Sequence, residues 1–196
     1  MQPLIFATNN KNKISEVRSI LHGLFEVKSL EEADILIDIP EPHDTLEKNA
    51  QEKSTCIYAI AHQNCFSEDT GLEVTALKGD PGVRSARYAG EQGDSEKNIA
   101  KLLQNMQHVD NREAQFRTVI SLILEGKEYQ FEGICKGRIA HQHKGMDGFG
   151  YDPVFIPDGS AASFAEMSLS EKNKYSHRKK AMEKLIDFLK AHHGQN

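Results

Sequence analysis

Residues Pro3 to Thr8, PLIFAT, are apolar at nearly every position. A strand of that kind has two faces to cover, so it reads as a central strand in a covered sheet. The polar turn Asn9 to Lys13 follows. Ile14, Val17, Ile20 and Leu21 then fall on one stripe of a helix expected over Asn12 to Leu21. The chain therefore opens strand, polar loop, helix.

Further short strands are expected at Phe25 to Leu30 and Ile35 to Ile39. A long helix is expected from Thr45 to His62, capped by Asp44 or Thr45. Asn64 to Asp69 and Leu72 to Ala76 read as strands, and Ser95 to Met106 as a helix. Phe116 to Leu124 is rich in β-branched residues and turns at Glu125–Gly126 into Glu128 to Gly133, with Cys135 to Ile139 continuing the meander. Ser176 to Ala191 closes the chain as a helix. The expected fold class is α/β: an elongated twisted mixed sheet flanked by helices, with two lobes and a central cleft. At 196 residues, the whole of 1–196 is expected to form a single domain.

Composition narrows the function. No apolar run approaches the roughly 18 residues of a membrane span. A net charge of −5 suits no broad nucleic-acid surface. Cys56, Cys65 and Cys135 have neither disulfide nor zinc spacing. The opening residues lack the charged and apolar regions of a signal peptide, so a cytoplasmic address is expected.

Four segments carry candidate chemistry. Thr8, Asn10, Lys11 and Lys13 surround a helix N-terminus, which favours anions, although a solvated capping loop has the same pattern. Glu68–Asp69–Thr70–Gly71 places two carboxylates at a strand tip, suited to Mg²⁺ but also to an acidic turn. Glu41, between Pro40 and Pro42, is a rigidly presented third carboxylate. Gly148–Phe149–Gly150–Tyr151–Asp152–Pro153 offers a close backbone approach and a ring on which a base could stack, or a plain turn with an aromatic anchor. Lys172 and Ser176–His177–Arg178 could donate to a purine edge, or form a solvated basic face. His141 and His143 form only a weak metal pair, lacking a third ligand.

Taken together, the segments resemble the inosine triphosphate pyrophosphatase family. The resemblance rests on Thr8-x-Asn10-x-x-Lys13-x-x-Glu16, Asn49-Ala50-x-x-Lys53, Glu68-Asp69-Thr70-Gly71-Leu72 and Pro81-Gly82-x-x-Ser85-Ala86-Arg87-Tyr88. It continues through Gly148-Phe149-Gly150-Tyr151-Asp152-Pro153-x-Phe155, Phe164-Ala165-Glu166-Met167 and Glu171-Lys172-Asn173-x-x-Ser176-His177-Arg178. One departure stands out: Lys48 replaces the glutamate usual before Asn-Ala, and Glu47, one residue earlier, points about 100° away on a helix and cannot replace it. Ser54 in place of a usual alanine is expected to matter little.

The resemblance implies Mg²⁺-dependent hydrolysis of ITP, dITP and XTP to the monophosphate and pyrophosphate, by a homodimer. It implies that Thr8, Asn9, Asn10, Lys11, Asn12, Lys13 and Lys53 hold the triphosphate. Asp69 would be catalytic and would bind the metal with Glu41, with Glu68 in support. Phe149, Gly150, Tyr151 and Asp152 would line the base site, with Lys172, His177 and Arg178 donating to the base. Thr70, Ser85 and Arg87 would complete the substrate wall. Two rivals use the same residues: a phosphatase releasing orthophosphate, and a nucleotide sensor without turnover.

Overall fold

In the computed structural model, which describes residues 3–90 and 93–193, the opening run forms β1 (Leu4–Phe6), buried at every position. Helix α1 (Lys11–Leu21) follows, capped by the Asn10 side chain, which accepts from the backbone N–H groups of Asn12 and Lys13. The remaining elements are β2 (Val27–Lys28), α2 (Leu46–Ala61), β3 (Cys65–Val74), β4 (Pro81–Gly82), α3 (Ser95–Asn105), β5 (Glu113–Leu124), β6 (Lys127–Ile139), β7 (Phe155–Pro157), α4 (Leu169–Lys172) and α5 (His177–His193). The strands hydrogen-bond in the order β2-β1-β3-β5-β6-β7, with β4 on β3, so the fold is a mixed α/β sheet flanked by helices. No helix among the described residues is long and apolar enough to cross a membrane.

The chain divides into two compact units. The first holds the residues up to Asp69, Thr118–Gly133 and those from Arg178 onward; the second holds Thr70–Arg117 and Ile134–His177. In the first unit, β1 runs parallel to both β2 and β3. Successive side chains of a strand point to opposite faces. Leu4 and Phe6 accordingly join one core cluster with Val17, Leu21, Leu185 and Leu189, while Ile5 and Ala7 join another with Ile57, Cys65 and Ile123. The Phe6 and Phe66 rings stack at 4.6 Å. The apolar run is thus covered on both sides. Burial also pushes the Cys65 thiol up to about 12. Ser54 and Ser121, both 0% exposed, share a 2.7 Å hydroxyl contact, and Ser121 donates to Glu128 at 2.8 Å.

In the second unit, β4 pairs antiparallel with the end of β3, and β7 pairs antiparallel with β6. Its core gathers Leu72, Leu102, Phe116, Phe155 and Phe164. Gly71 allows the β3–β4 approach, because a Cβ there would lie 2.6 Å from the Gly82 carbonyl oxygen. Both chains meet there as backbone, so neither can swing aside. Gly71→Ala is expected to cost about 1–3 kcal/mol, as overpacking does elsewhere. A urea-unfolding midpoint equal to wild type would refute that.

Several elements differ from expectation. Ile35 to Ile39 forms no strand; buried or half-buried isoleucines alternate with exposed Leu36 and Asp38, which produced the strand-like pattern. Phe25 to Leu30 contributes only the two residues of β2. The strand expectations on either side of Thr70–Gly71 join as β3, and those on either side of Ile134 join as β6. The hairpin turn falls at Glu125–Gly126, both at positive φ, as a two-residue turn requires.

Candidate functional site

Two groups of site residues form, one in each unit. In the first unit, Thr8, Asn9, Lys13, Asp38, Glu41 and Lys53 line a pocket of about 170 Å³. The loop after β1 is self-braced. Thr8 Oγ1 accepts from the Asn10 N–H at 3.2 Å, and Asn10 Oδ1 accepts from the Asn12 and Lys13 N–H groups at 3.0 and 3.1 Å. With those amides engaged, the ammonium groups of Lys13 and Lys53 carry the pocket's positive charge. Lys11 and Asn12 are exposed.

The chemistry centres on Lys53. It reaches the pocket from α2, and its Nζ lies 2.5 Å from Glu41 Oε1 and 3.4 Å from Asp69 Oδ1. Burial opposes the Lys53 charge, but Asp69, Glu41 and Glu68 outweigh it and hold its pKa above the lysine range. Asp69 is pushed the other way. Burial raises its carboxyl above the usual aspartate range, Glu41 adds to that, and Lys53, Lys13 and an Asn49 hydrogen bond offset part of it. Asp69 Oδ2 is buried with no hydrogen-bond partner.

An orphaned buried carboxylate oxygen is costly and calls for a cation or a proton donor. Mg²⁺ takes oxygen ligands and commonly uses one or two carboxylates, with water and phosphates completing its shell. Asp69 and Glu41 fit that need. Among the described residues no group of three or more His, Cys, Asp or Glu is placed to hold a metal by itself.

Glu68 is placed differently. Its Oε2 accepts from Arg178 Nε at 2.7 Å and its Oε1 from Arg178 Nη2 at 2.8 Å, while Lys13 Nζ lies 3.3 Å away. Arg178 also donates to Glu16 and is 1% exposed. The guanidinium therefore ties α1, β3 and α5 together. Lys48 is exposed on α2.

In the second unit, Asp152 is 3% exposed, and its Oδ2 accepts from Lys172 Nζ at 2.6 Å and from the Phe149 N–H at 2.9 Å. Gly148 stands at positive φ, and a Cβ there would collide with the Asp152 carboxylate. Lys172 Nζ sits 5.0 Å from the Phe149 ring and 5.3 Å from Phe164, within cation–π range. His177, the first residue of α5, stacks on Phe116 at 4.7 Å. Tyr151 donates to the Ser85 carbonyl at 2.8 Å, and Ser85 Oγ accepts from the Leu72 N–H at 2.8 Å. Tyr151 and Ser85 therefore brace the wall from within. Thr70, Arg87 and Gly150 are half-buried.

Sequence reasoning gave no role to Glu16, Asn49, Phe116 or Phe164. The three-residue spacing of Asn10, Lys13 and Glu16 was a usable signal, since it sets them along one side of α1. Nothing local in the sequence marks Phe116 as the platform under His177.

An open mixed sheet with a two-lysine, two-carboxylate pocket and a separate aromatic–cation group defines an α/β protein suited to anionic, ring-bearing ligands. The chain belongs to the Ham1 family, whose model matches residues 4–188. It is 50% identical over 188 residues to the dITP/XTP pyrophosphatase of Flavobacterium johnsoniae, covering 96% of this chain and 98% of that one. It is 50% identical over 190 residues to the protein of that name from Porphyromonas gingivalis, with 96% and 98% covered. The solved Ham1 protein of Staphylococcus aureus superposes with a TM-score of 0.88 at 36% identity, covering 97% of this chain and 100% of its own.

Proposed function

We propose that this chain hydrolyses dITP, ITP and XTP to the monophosphate and pyrophosphate with the help of Mg²⁺, acting over residues 1–196 as one domain, as a cytoplasmic homodimer. Its family and its relatives at about half identity make it a nucleoside triphosphate pyrophosphatase. The observation that carries the finer reading is the Asp69–Lys53–Glu41 group with its orphaned carboxylate oxygen.

Lys13 and Lys53 bind the triphosphate and neutralise its charge. Asp69 Oδ2 orients a water and accepts its proton. The water oxygen bonds to the α-phosphorus, the bond to the bridging oxygen breaks, and pyrophosphate departs with that electron pair. Asp69 and Glu41 would hold Mg²⁺, which when bound supplies charge stabilisation at the phosphoryl oxygens.

The base lies on Phe149. Lys172 and His177 donate toward an O6 acceptor, and Asp152 fixes Lys172. An adenine amine would set donor against donor, a mismatch that such sites reject strongly. Arg178, occupied by Glu68 and Glu16, serves as a brace for the carboxylate pair.

Product analysis tests the reading. The purified chain with Mg²⁺ is offered dITP, XTP, ITP, ATP and GTP separately. Pyrophosphate and monophosphate from the first three, with little from ATP or GTP, is the expected result. Orthophosphate with a diphosphate would mean a phosphatase, and binding without any product would mean a sensor.

A further inference from the structure

Glu41 sits on an unusual piece of chain. Residues 36–43 lie in no helix or strand, yet the segment carries pocket-lining residues. It is a strap. Upstream, the Ile35 N–H holds the Leu30 carbonyl at 2.9 Å. Ile37 and Ile39 pack, partly buried, against the Ile5–Ile57–Cys65 cluster. Pro40 and Pro42 stiffen the backbone on either side of Glu41.

Downstream, one side chain does what a neighbouring strand would do. Asn49 Oδ1 accepts from the His43 N–H at 2.9 Å, and Asn49 Nδ2 donates to the His43 carbonyl at 3.0 Å. Asn49 is 1% exposed. It is not needed to cap α2, since Thr45 does that by accepting from the Lys48 N–H. Asparagine is also an indifferent helix former. Its place is explained by the grip on His43 together with its hydrogen bond to Asp69, so one side chain steadies both carboxylates. Lys53 lies one turn further along the same helix face and meets both Glu41 and Asp69.

We propose that Asn49 is a positioning residue for the proposed reaction: by clamping the strap at His43 it fixes Glu41 against Lys53 and beside Asp69. What Glu41 and Asp69 do there rests on the function proposed above; the clamp itself does not. Without the clamp, the strap keeps its hold at Ile35, its two half-buried isoleucines and the side-chain pairings Glu41–Lys53 and His43–Glu52, but its backbone at His43 is no longer fixed to α2. The two carboxylates then lose their fixed separation, and cation binding weakens before the fold does.

The test uses the full chain as wild type, Asn49→Ala, Asn49→Ser and His43→Ala. Mn²⁺ binding is followed by electron paramagnetic resonance, kcat and KM by pyrophosphate release from XTP, and folding by thermal melting. In folded Asn49 variants, Mn²⁺ affinity and kcat are expected to fall about 10–100-fold, the usual cost of losing a residue that orients metal ligands, with KM changed far less. His43→Ala keeps the backbone that the clamp grips and loses only the half-exposed 3.7 Å pairing of its imidazole with Glu52, so it should stay within about twofold of wild type. Asn49→Ser serves if the alanine variant does not fold. Wild-type Mn²⁺ affinity and kcat in either folded Asn49 variant would overturn the proposal, as would an equal loss in His43→Ala. If wild type bound Mn²⁺ but hydrolysed no nucleotide, the proposed function would fall, and the Mn²⁺ comparison would still decide the role of Asn49. A wild type that bound no Mn²⁺ would overturn both.

Discussion

Asp69→Asn is expected to lower XTP turnover by roughly 10²–10⁴-fold, the range associated with removing a general base. The change is isosteric and touches two functions at once. Asn accepts no proton at that atom, and it offers an amide where the site supplies an anionic oxygen. Folding should survive. Burial already disfavours the ionised Asp69 carboxyl, so a neutral side chain relieves that cost, while Lys53 retains Glu41 at 2.5 Å. The melting temperature should therefore stay within about 3 °C of wild type. Pyrophosphate release and a thermal melt on the same preparation check both halves. Near-normal turnover would remove Asp69 from the reaction, and a collapsed melt would make it a structural residue.

Arg178→Met has the largest expected effect on stability. Removing one partner of a buried charge group leaves the others uncompensated, at a cost of about 3–5 kcal/mol. Here the carboxylates that lose the guanidinium are Glu68, whose side chain is 1% exposed and keeps Lys13 at 3.3 Å, and Glu16, at 8%. For a chain of this size, that cost corresponds to a fall of roughly 6–20 °C in melting temperature. Arg178→Lys should recover only part of it, since an ammonium cannot match the two-pronged contact with Glu68. Adding Glu68→Gln and Glu16→Gln to Arg178→Met should recover more, because the stranded charges go with them. Urea unfolding of the series decides this. An Arg178→Met chain as stable as wild type would mean that the three groups contribute nothing net.

The basic cluster near the last helix shows where sequence reading reached its end. Lys172, His177 and Arg178 look like one set of donors when spaced along a line. Successive residues of a helix diverge by about 100°. His177 therefore stacks in the aromatic group of the second unit, while its neighbour Arg178 joins the carboxylates of the first. Which neighbours await each side chain is set by residues more than a hundred positions away, such as Glu68 and Glu16.

The opening strand was legible for the opposite reason. PLIFAT carries its burial in its own composition, and both its faces are covered. Lys53 was legible only through the family resemblance, and Asp69 as one of two adjacent carboxylates, although it lies in the middle of β3 rather than at the strand tip expected for it. The strap at 35–39 misled because alternation reports which side chains face inward, not whether the backbone has a partner. Asn49 supplies that partner at only one residue, by side chain, and no periodic pattern announces a single contact.

The Ser54–Ser121 contact carries a consequence for how this sequence can drift. Both hydroxyls are sealed from solvent, but each has a second partner: Ser121 donates to the exposed Glu128 at 2.8 Å, and Ser54 Oγ lies 3.0 Å from the Gln51 carbonyl. Alanine at position 54 would leave Ser121 with Glu128 as its acceptor, so no buried polar atom is stranded by that single change. The route to and from serine at position 54 is therefore open in one step, without a compensating change at position 121.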